Sequence, residues 1–501
     1  LLRRDDVFRE SVAALPPGAT VSDYGDAQLE LPVVAGSMPI TGWSHYTGSI
    51  YVAQAAYEPG YLFVDGALMR IARYPNTGWL RTTSWSDDPN GYNTVIQTAS
   101  LASHPRNADG YWTNAWIRWR RWSWWFETRT VTNYLASGRL ALGQKSISPH
   151  TSYDMNGWGF YLDNKFEELD APGEWYYDKT RSNIYLWAPG GGDPNAHLVE
   201  LSVLPTGMNV SGGAVSNIHF RQFKDWAVSL GGAGTIVRGC RFAYCGRDSD
   251  SVEQAGGTAL RATWGARNAL IIENVFISNL NVAINWNEDP NQTSASLIED
   301  NLLIDNGVVD GYGGSGAWHA SPIVISNARN LTLRRNRIFG GGYAGIIIGK
   351  PYNTIERNFI TNVMATLNDG GGIYCNASYN YIRNNIILHS IGAMESSGPW
   401  ANLGQGIWPE FLSDFRGSQI ISNTVAHCGS YGLFLDNNFE CLIRDNNFFR
   451  NKRTQWFLRV RETNTSVGRT NNLPQNHVMI NNVMYAAGST TQSFWYMTNN
   501  F

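Results

Sequence analysis

The chain has 501 residues, 43% hydrophobic, 13% aromatic and only 16% charged, against roughly 25% charged in an average globular chain. Its 38 basic and 41 acidic residues leave a formal net charge of −3, which offers no electrostatic footprint to nucleic-acid phosphates or to an anionic membrane surface. No apolar run reaches the ~18 residues needed to span a bilayer, and 51 Gly with 19 Pro disfavour long helices. The chain reads as β-rich and aromatic-loaded.

Residues 1–42 read as a cap and a first coil, and the absence of Met before Leu1 suggests an excised or mature segment. Residues 43–205 carry aromatic strands punctuated by turns and read as a small antiparallel β-sandwich. Tyr61 to Arg70 forms a hairpin around Asp65-Gly66, the pair that two-residue hairpin turns prefer. Trp122, Trp124 and Phe126 alternate onto one face of a further strand, and Glu174 to Tyr177 and Ile184 to Trp187 make two more. The chain holds 20 Trp in all. A flat indole with one donor at its edge suits stacking on sugar rings, but in this region the rings are first of all a core.

From 206 to 501 the sequence becomes repetitive. A degenerate motif of apolar residues around an Asn recurs at Asn274, Asn301, Asn336, Asn358, Asn385, Asn423, Asn446 and Asn482. Successive copies lie 27, 35, 22, 27, 38, 23 and 36 residues apart. A base period near 22–27 residues with insertions is the mark of a solenoid. Each copy is strand, Asn turn, strand, with no room for a helix, and Asn suits the bend because it tolerates the left-handed region. A second strand signal follows in Gly345-Ile346, Gly372-Ile373, Gly406-Ile407 and Gly432-Leu433. Several short strands per repeat predict a parallel β-helix.

The five cysteines (Cys240, Cys245, Cys375, Cys428 and Cys441) are odd in number and show no CxxC or zinc-ligand spacing. They read as buried free thiols, and no metal or cofactor is expected. Asp248, Asp250 and Glu253 form an acidic loop, read as an exposed polar loop rather than a calcium site.

Two segments carry a family resemblance. Leu62-Phe63-Val64-Asp65-Gly66, with Ala72-Arg73-Tyr74-Pro75-Asn76 after it, and Pro172 to Asp178 with Ile184 to Trp187, resemble the β-sandwich segment of right-handed β-helix glycoside hydrolases. These belong to the pectate-lyase-like superfamily and include β-xylosidase and fucosidase types; related β-helices serve as carbohydrate-binding modules. The resemblance covers nearly the whole chain. It implies an all-β fold, a right-handed parallel β-helix with an appended or inserted antiparallel β-sandwich, an extracellular location and a polysaccharide as ligand.

Equivalent positions of stacked coils form columns about 4.8 Å apart, so loops entering the Gly-Ile strands share one face. They carry Asp310, Tyr312, Trp318 and His319, then Tyr343, then Asn368 and Asp369, then Glu395, Trp400 and Gln405, then Tyr431. Trp318, His319, Tyr343, Asp369, Tyr374, Glu395, Trp400 and Trp408 are the candidate carbohydrate-binding residues. A glycosidase generally needs two carboxyl groups, and Asp369 in Asp-Gly-Gly-Gly-Ile-Tyr is similar to an acidic motif of the β-helix hydrolases. The segment where that family carries its second acid reads Trp408-Pro409-Glu410 here, and Pro cannot donate to a strand ladder. The first reading is therefore a non-catalytic module that binds plant cell-wall polysaccharide, xylan or a related β-glycan, ancillary to its degradation, with a covalently linked catalytic domain as a further partner. The alternative is a β-helix glycoside hydrolase using Asp369 with Glu395 or Glu410.

Overall fold

The computed structural model describes residues 1–12, 14–87, 94–143, 156–247, 257–289, 291, 293–314, 320–393, 401–410, 416–436, 438–461, 463–464, 469–470, 476–486 and 492–499. The repeat Asn residues form one continuous ladder inside it. The backbone N–H and the side-chain Nδ2 of Asn274 both donate to Oδ1 of Asn301, each at 3.0 Å. The same paired bonds run on through Asn336, Asn358, Asn385, Asn423, Asn446 and Asn482. The second Nδ2 hydrogen goes to a backbone carbonyl, as from Asn358 to Leu333 at 3.1 Å. From Asn274 to Asn446 these side chains are buried. A buried amide demands such partners, and the ladder supplies them.

The left-handed residue is not the Asn itself. It is the residue before it: Glu273, Asp300, Arg335, Arg357, Asn384, Ser422, Asp445 and Asn481 all have φ between 51° and 58°. The bend turns on that exposed neighbour, which frees the Asn to point inward and bond the next coil.

Among the described residues three long parallel sheets run the length of the repeat. One has twelve strands, from Val7–Phe8 to Val483–Tyr485; two have eleven, from Thr206–Val210 to Gln492–Asn499 and from Thr20–Val21 to Val478–Ile480. Like positions stack without stagger, so Val237, Ile271, Ile298, Leu333, Ile355, Ile382, Ile420 and Ile443 make one column, each fully buried. Gly372, Gly406 and Gly432, at equivalent positions of the Thr206–Asn499 sheet, also form a column. A Cβ on Gly406 would lie 2.1 Å from Val425 Cγ1, and one on Gly372 would lie 2.3 Å from Ile387 Cγ2. Across the narrow interior only hydrogen fits. Gly406→Val is expected to lower stability by at least about 1–3 kcal/mol through overpacking. Gly192→Ala, with nothing within 4 Å of its added carbon, should leave the melting temperature nearly unchanged.

The strands Val7–Phe8, Thr20–Val21 and Val33–Ala35 already belong to the β-helix sheets. The antiparallel part is inserted after them, between Ser37 and Ser202, in sheets of four, five and eight strands. The Asp65-Gly66 hairpin forms as expected, with φ of 48° and 79°. The Trp run differs from its sequence reading. Trp122 closes the strand Trp116–Trp122 and pairs with Trp125, which opens Trp125–Leu135, so Ser123-Trp124 is a tight turn. Trp112, Trp119, Trp122, Trp125 and Trp158 fill one insert core, and Trp43 and Trp175 another. The five cysteines are free and buried.

Candidate functional site

Four successive strands of the Thr206–Asn499 sheet repeat one pattern when aligned by their pairing. Ile373-Tyr374-Cys375-Asn376 lies beside Ile407-Trp408-Pro409-Glu410, with Tyr374 opposite Trp408. Leu433-Phe434-Leu435-Asp436 follows, then Trp456-Phe457-Leu458-Arg459. The first and third residues of each pattern turn inward, so the second and fourth face out. The outward aromatics pack from coil to coil: Tyr374 leans on Trp408 at 5.0 Å and 57°, and Trp408 stacks on Phe434 at 5.3 Å and 14° and Phe434 on Phe457 at 4.9 Å and 24°. Beside this ladder runs a polar column of Asn376, Glu410, Asp436 and Arg459.

That column is electrostatically tight. The Tyr374 hydroxyl donates to Glu410. The Arg459 guanidinium donates to both carboxylate oxygens of the buried Asp436, through Nε at 2.8 Å and through Nη2. Pro409 does not break the ladder, because the Glu410 N–H donates to the Cys375 carbonyl at 2.9 Å.

Asp369 enters from the other end of the strand Gly370–Cys375. It is half-buried, in the left-handed region at φ 63°, and its N–H donates to the Leu403 carbonyl at 2.9 Å. The Tyr343 hydroxyl donates to the Asp369 carbonyl oxygen at 2.6 Å. Gly370 permits this approach, since a Cβ there would sit 2.7 Å from the Tyr343 ring. Burial pushes the phenols of Tyr343 and Tyr374 well above their ordinary value, and the charges of both Asp369 and Glu410 push them further. Burial alone would pull Arg459 down, but its bonds to Asp436 and the charge of Asp369 more than offset this. The Asp369 backbone and the Glu410 carboxylate are thus each bonded by one of two neighbouring phenols, whose rings are 6.3 Å apart.

A wall of the inserted sheets closes on the same place. The Asn368 N–H donates to the Ser123 carbonyl at 2.8 Å, and the Phe126 N–H donates to Gly313 at 2.9 Å. Fully buried Arg120 ties the contact by donating to the carbonyls of Ser123 and Thr366. The turn of the Trp hairpin therefore rests one residue from Asp369.

Of the candidate residues, Tyr343, Tyr374 and Trp408 are only 2%, 9% and 4% exposed, and their rings pack against one another edge-on or tilted rather than lie open. The Trp408 indole nitrogen is buried and meets no acceptor among the described residues. Gln405, Tyr431, Tyr312 and Asn368 are buried, and Asp310 is exposed. Trp318, His319, Glu395 and Trp400 lie outside the described residues, as do Asp248, Asp250 and Glu253. Phe434, Asp436, Phe457 and Arg459 were not singled out from sequence; aligning strands on their Gly would have placed Phe434 and Asp436 in the columns of Trp408 and Glu410, whereas the strand Thr454–Arg461 carries Gln455 where the others carry Gly. Among the described residues no group of three or more His, Cys, Asp or Glu is placed to hold a metal ion.

Residues 315–490 match the family described as right handed beta helix region. The chain is a right-handed parallel β-helix. A solved structure titled "Glycoside hydrolase" is similar to it with a TM-score of 0.57 at 14% identity, over 96% of this chain and 88% of that one. XylC, solved with xylose, is similar at 12% identity and a TM-score of 0.46, over 89% of this chain and 63% of the other. The tailspike protein of E. coli bacteriophage HK620, in complex with a pentasaccharide, gives 12% identity and a TM-score of 0.31, over 59% of this β-helix chain and 56% of its own. No curated protein matches the sequence. At these identities the likeness establishes the β-helix fold and nothing finer.

Proposed function

We propose that this β-helix binds a glycan on the outer face of the Thr206–Asn499 sheet and hydrolyses a glycosidic bond there. The observation that carries the reading is the neighbouring pair of phenols between the two acidic residues: the Tyr374 hydroxyl bonds the Glu410 carboxylate, the Tyr343 hydroxyl bonds the Asp369 backbone, and their rings are 6.3 Å apart. Glycoside hydrolysis needs one carboxyl group to protonate the leaving oxygen and a second to activate water or attack the sugar. Asp369 and Glu410 supply two such groups at the two ends of this phenol pair, beside a buried aromatic ladder. The similar structure titled "Glycoside hydrolase", which spans nearly this whole chain, supports the same reaction class. Pro409 no longer argues against Glu410, because the ladder resumes at that residue.

A binding-only reading keeps one observation in its favour. Glu410 is 8% exposed and already accepts the Tyr374 hydroxyl, which suits a carboxylate that shapes a site as well as one that reacts. Incubation with xylan, mixed-linkage glucan, arabinan and pectin separates the two. Release of reducing ends from any of them is expected under hydrolysis. Retardation in a polysaccharide gel without release would favour the binding module, and neither effect on any polymer would exclude both readings. Glu395→Gln and Glu410→Gln, assayed side by side, identify the partner of Asp369.

A further inference from the structure

We infer that a second sugar subsite lies where the inserted sheets meet the β-helix, built from Trp79 and Asp310, so that the ligand is an oligosaccharide chain rather than a single sugar. The inference rests on the proposed glycan site and extends it along the axis of the solenoid.

Trp79 is half-buried and rigidly backed. Its ring lies parallel to Phe126, with centroids 5.4 Å apart at 7°, and leans on Tyr161 at 5.4 Å. Arg73 holds the turn that presents it, donating to the carbonyls of Pro75 at 2.9 Å and Gly78 at 2.7 Å. The Trp79 indole N–H finds no acceptor among the described residues.

Asp310 meets the same Tyr161 from the β-helix. The Tyr161 hydroxyl donates to the Asp310 backbone carbonyl at 2.8 Å, so one ring touches both residues. The Asp310 carboxylate is exposed and makes no hydrogen bond or ion pair among the described residues. Burial nevertheless raises its pKa, opposed by the charges of Arg73 and Arg120. An indole face takes the apolar face of a sugar ring, and an uncommitted carboxylate accepts its hydroxyls.

The spacing suits a chain. The strand Leu302–Asn306, which leads to Asp310, precedes Phe359–Thr361, which leads to Asp369, by two steps of the same sheet. At about 4.8 Å per step the two coils that carry them lie about 10 Å apart along the axis. Arg120 spans the interval, feeling the charge of Asp310 and bonding the Thr366 carbonyl. A glycan cleaved at Asp369 would lay a neighbouring unit on Trp79.

The test is calorimetric titration with xylo- and cello-oligosaccharides of two to six units, using Asp369→Asn protein so that the chain is not consumed. Trp79→Ala and Asp310→Asn are then added to it separately. On the scale of roughly 1–3 kcal/mol for a nucleobase stacked on one aromatic side chain, Trp79→Ala should weaken binding of the longest ligand by about 5- to 150-fold. Disaccharide affinity should hardly move. Asp310→Asn should act in the same direction without altering side-chain volume, and it decides alone if Trp79→Ala fails to fold. Binding by the parent protein that neither change weakens at any length would overturn the subsite and leave the proposed function standing. Absence of binding by the parent and by the unaltered chain would overturn both.

Discussion

Asp369→Asn should reduce the release of reducing sugar by roughly 10²–10⁴-fold, the contribution typical of one general acid or base. The substitution is nearly isosteric and leaves the local backbone bonds intact: the N–H to Leu403 at 2.9 Å and the carbonyl bonded by Tyr343 at 2.6 Å. The turn should therefore stay folded, with an unchanged melting temperature. An amide still exchanges hydrogen bonds with sugar hydroxyls, so affinity for a glycan should persist while turnover falls. Asp436→Asn offers a contrast. Asp436 is buried and grips Arg459, so this change should cost stability first, because it weakens a buried charge pair. Turnover by Asp369→Asn at the native rate would remove that residue from the chemistry.

Asn358→Ala should produce a large loss of stability. It strips the acceptor from the Asn336 N–H and Nδ2, both at 3.0 Å, and the donor from the Leu333 carbonyl. Each buried polar group left unpaired costs about 1–3 kcal/mol, so a loss of at least about 3 kcal/mol is expected. In a solenoid that loss falls on the contact between neighbouring coils. Denaturation followed by tryptophan fluorescence should shift to lower urea. It should also broaden, as the coils on either side of the defect begin to unfold separately. An unchanged midpoint would mean that water satisfies the ladder as well as the next coil does.

The β-helix was legible because its two periodic signals have direct physical causes. Asn274 to Asn482 recur because each inward amide must bond the next, and Gly345, Gly372, Gly406 and Gly432 recur because a Cβ would strike the facing strand or side chain. The site was legible only in part. Asp369, Tyr374, Trp408 and Glu410 share one outer face, but the aromatic strip was expected to lie open and instead closes on itself through packing between coils. Asp436 and Arg459 carry no motif of their own; only the alignment of strands brings them beside Glu410. The Ser123-Trp124 turn was missed because it contains neither Gly nor Asn, the residues by which sequence announces a hairpin. The reach of the insert to Asp369 has no sequence period at all, since it depends on a contact between chain segments 245 residues apart, Ser123 and Asn368.

The most direct measurement is a crystal structure of the Asp369→Asn protein soaked with a xylo-oligosaccharide, and with a cello-oligosaccharide if the first does not bind. The glycan should lie along the outer face of the Thr206–Asn499 sheet, with one glycosidic oxygen between residues 369 and 410 and a further unit against Trp79 and Asp310. A glycan bound only elsewhere would contradict it, for instance on the exposed stack of Tyr352 and Tyr379, whose rings are 5.3 Å apart at 8°.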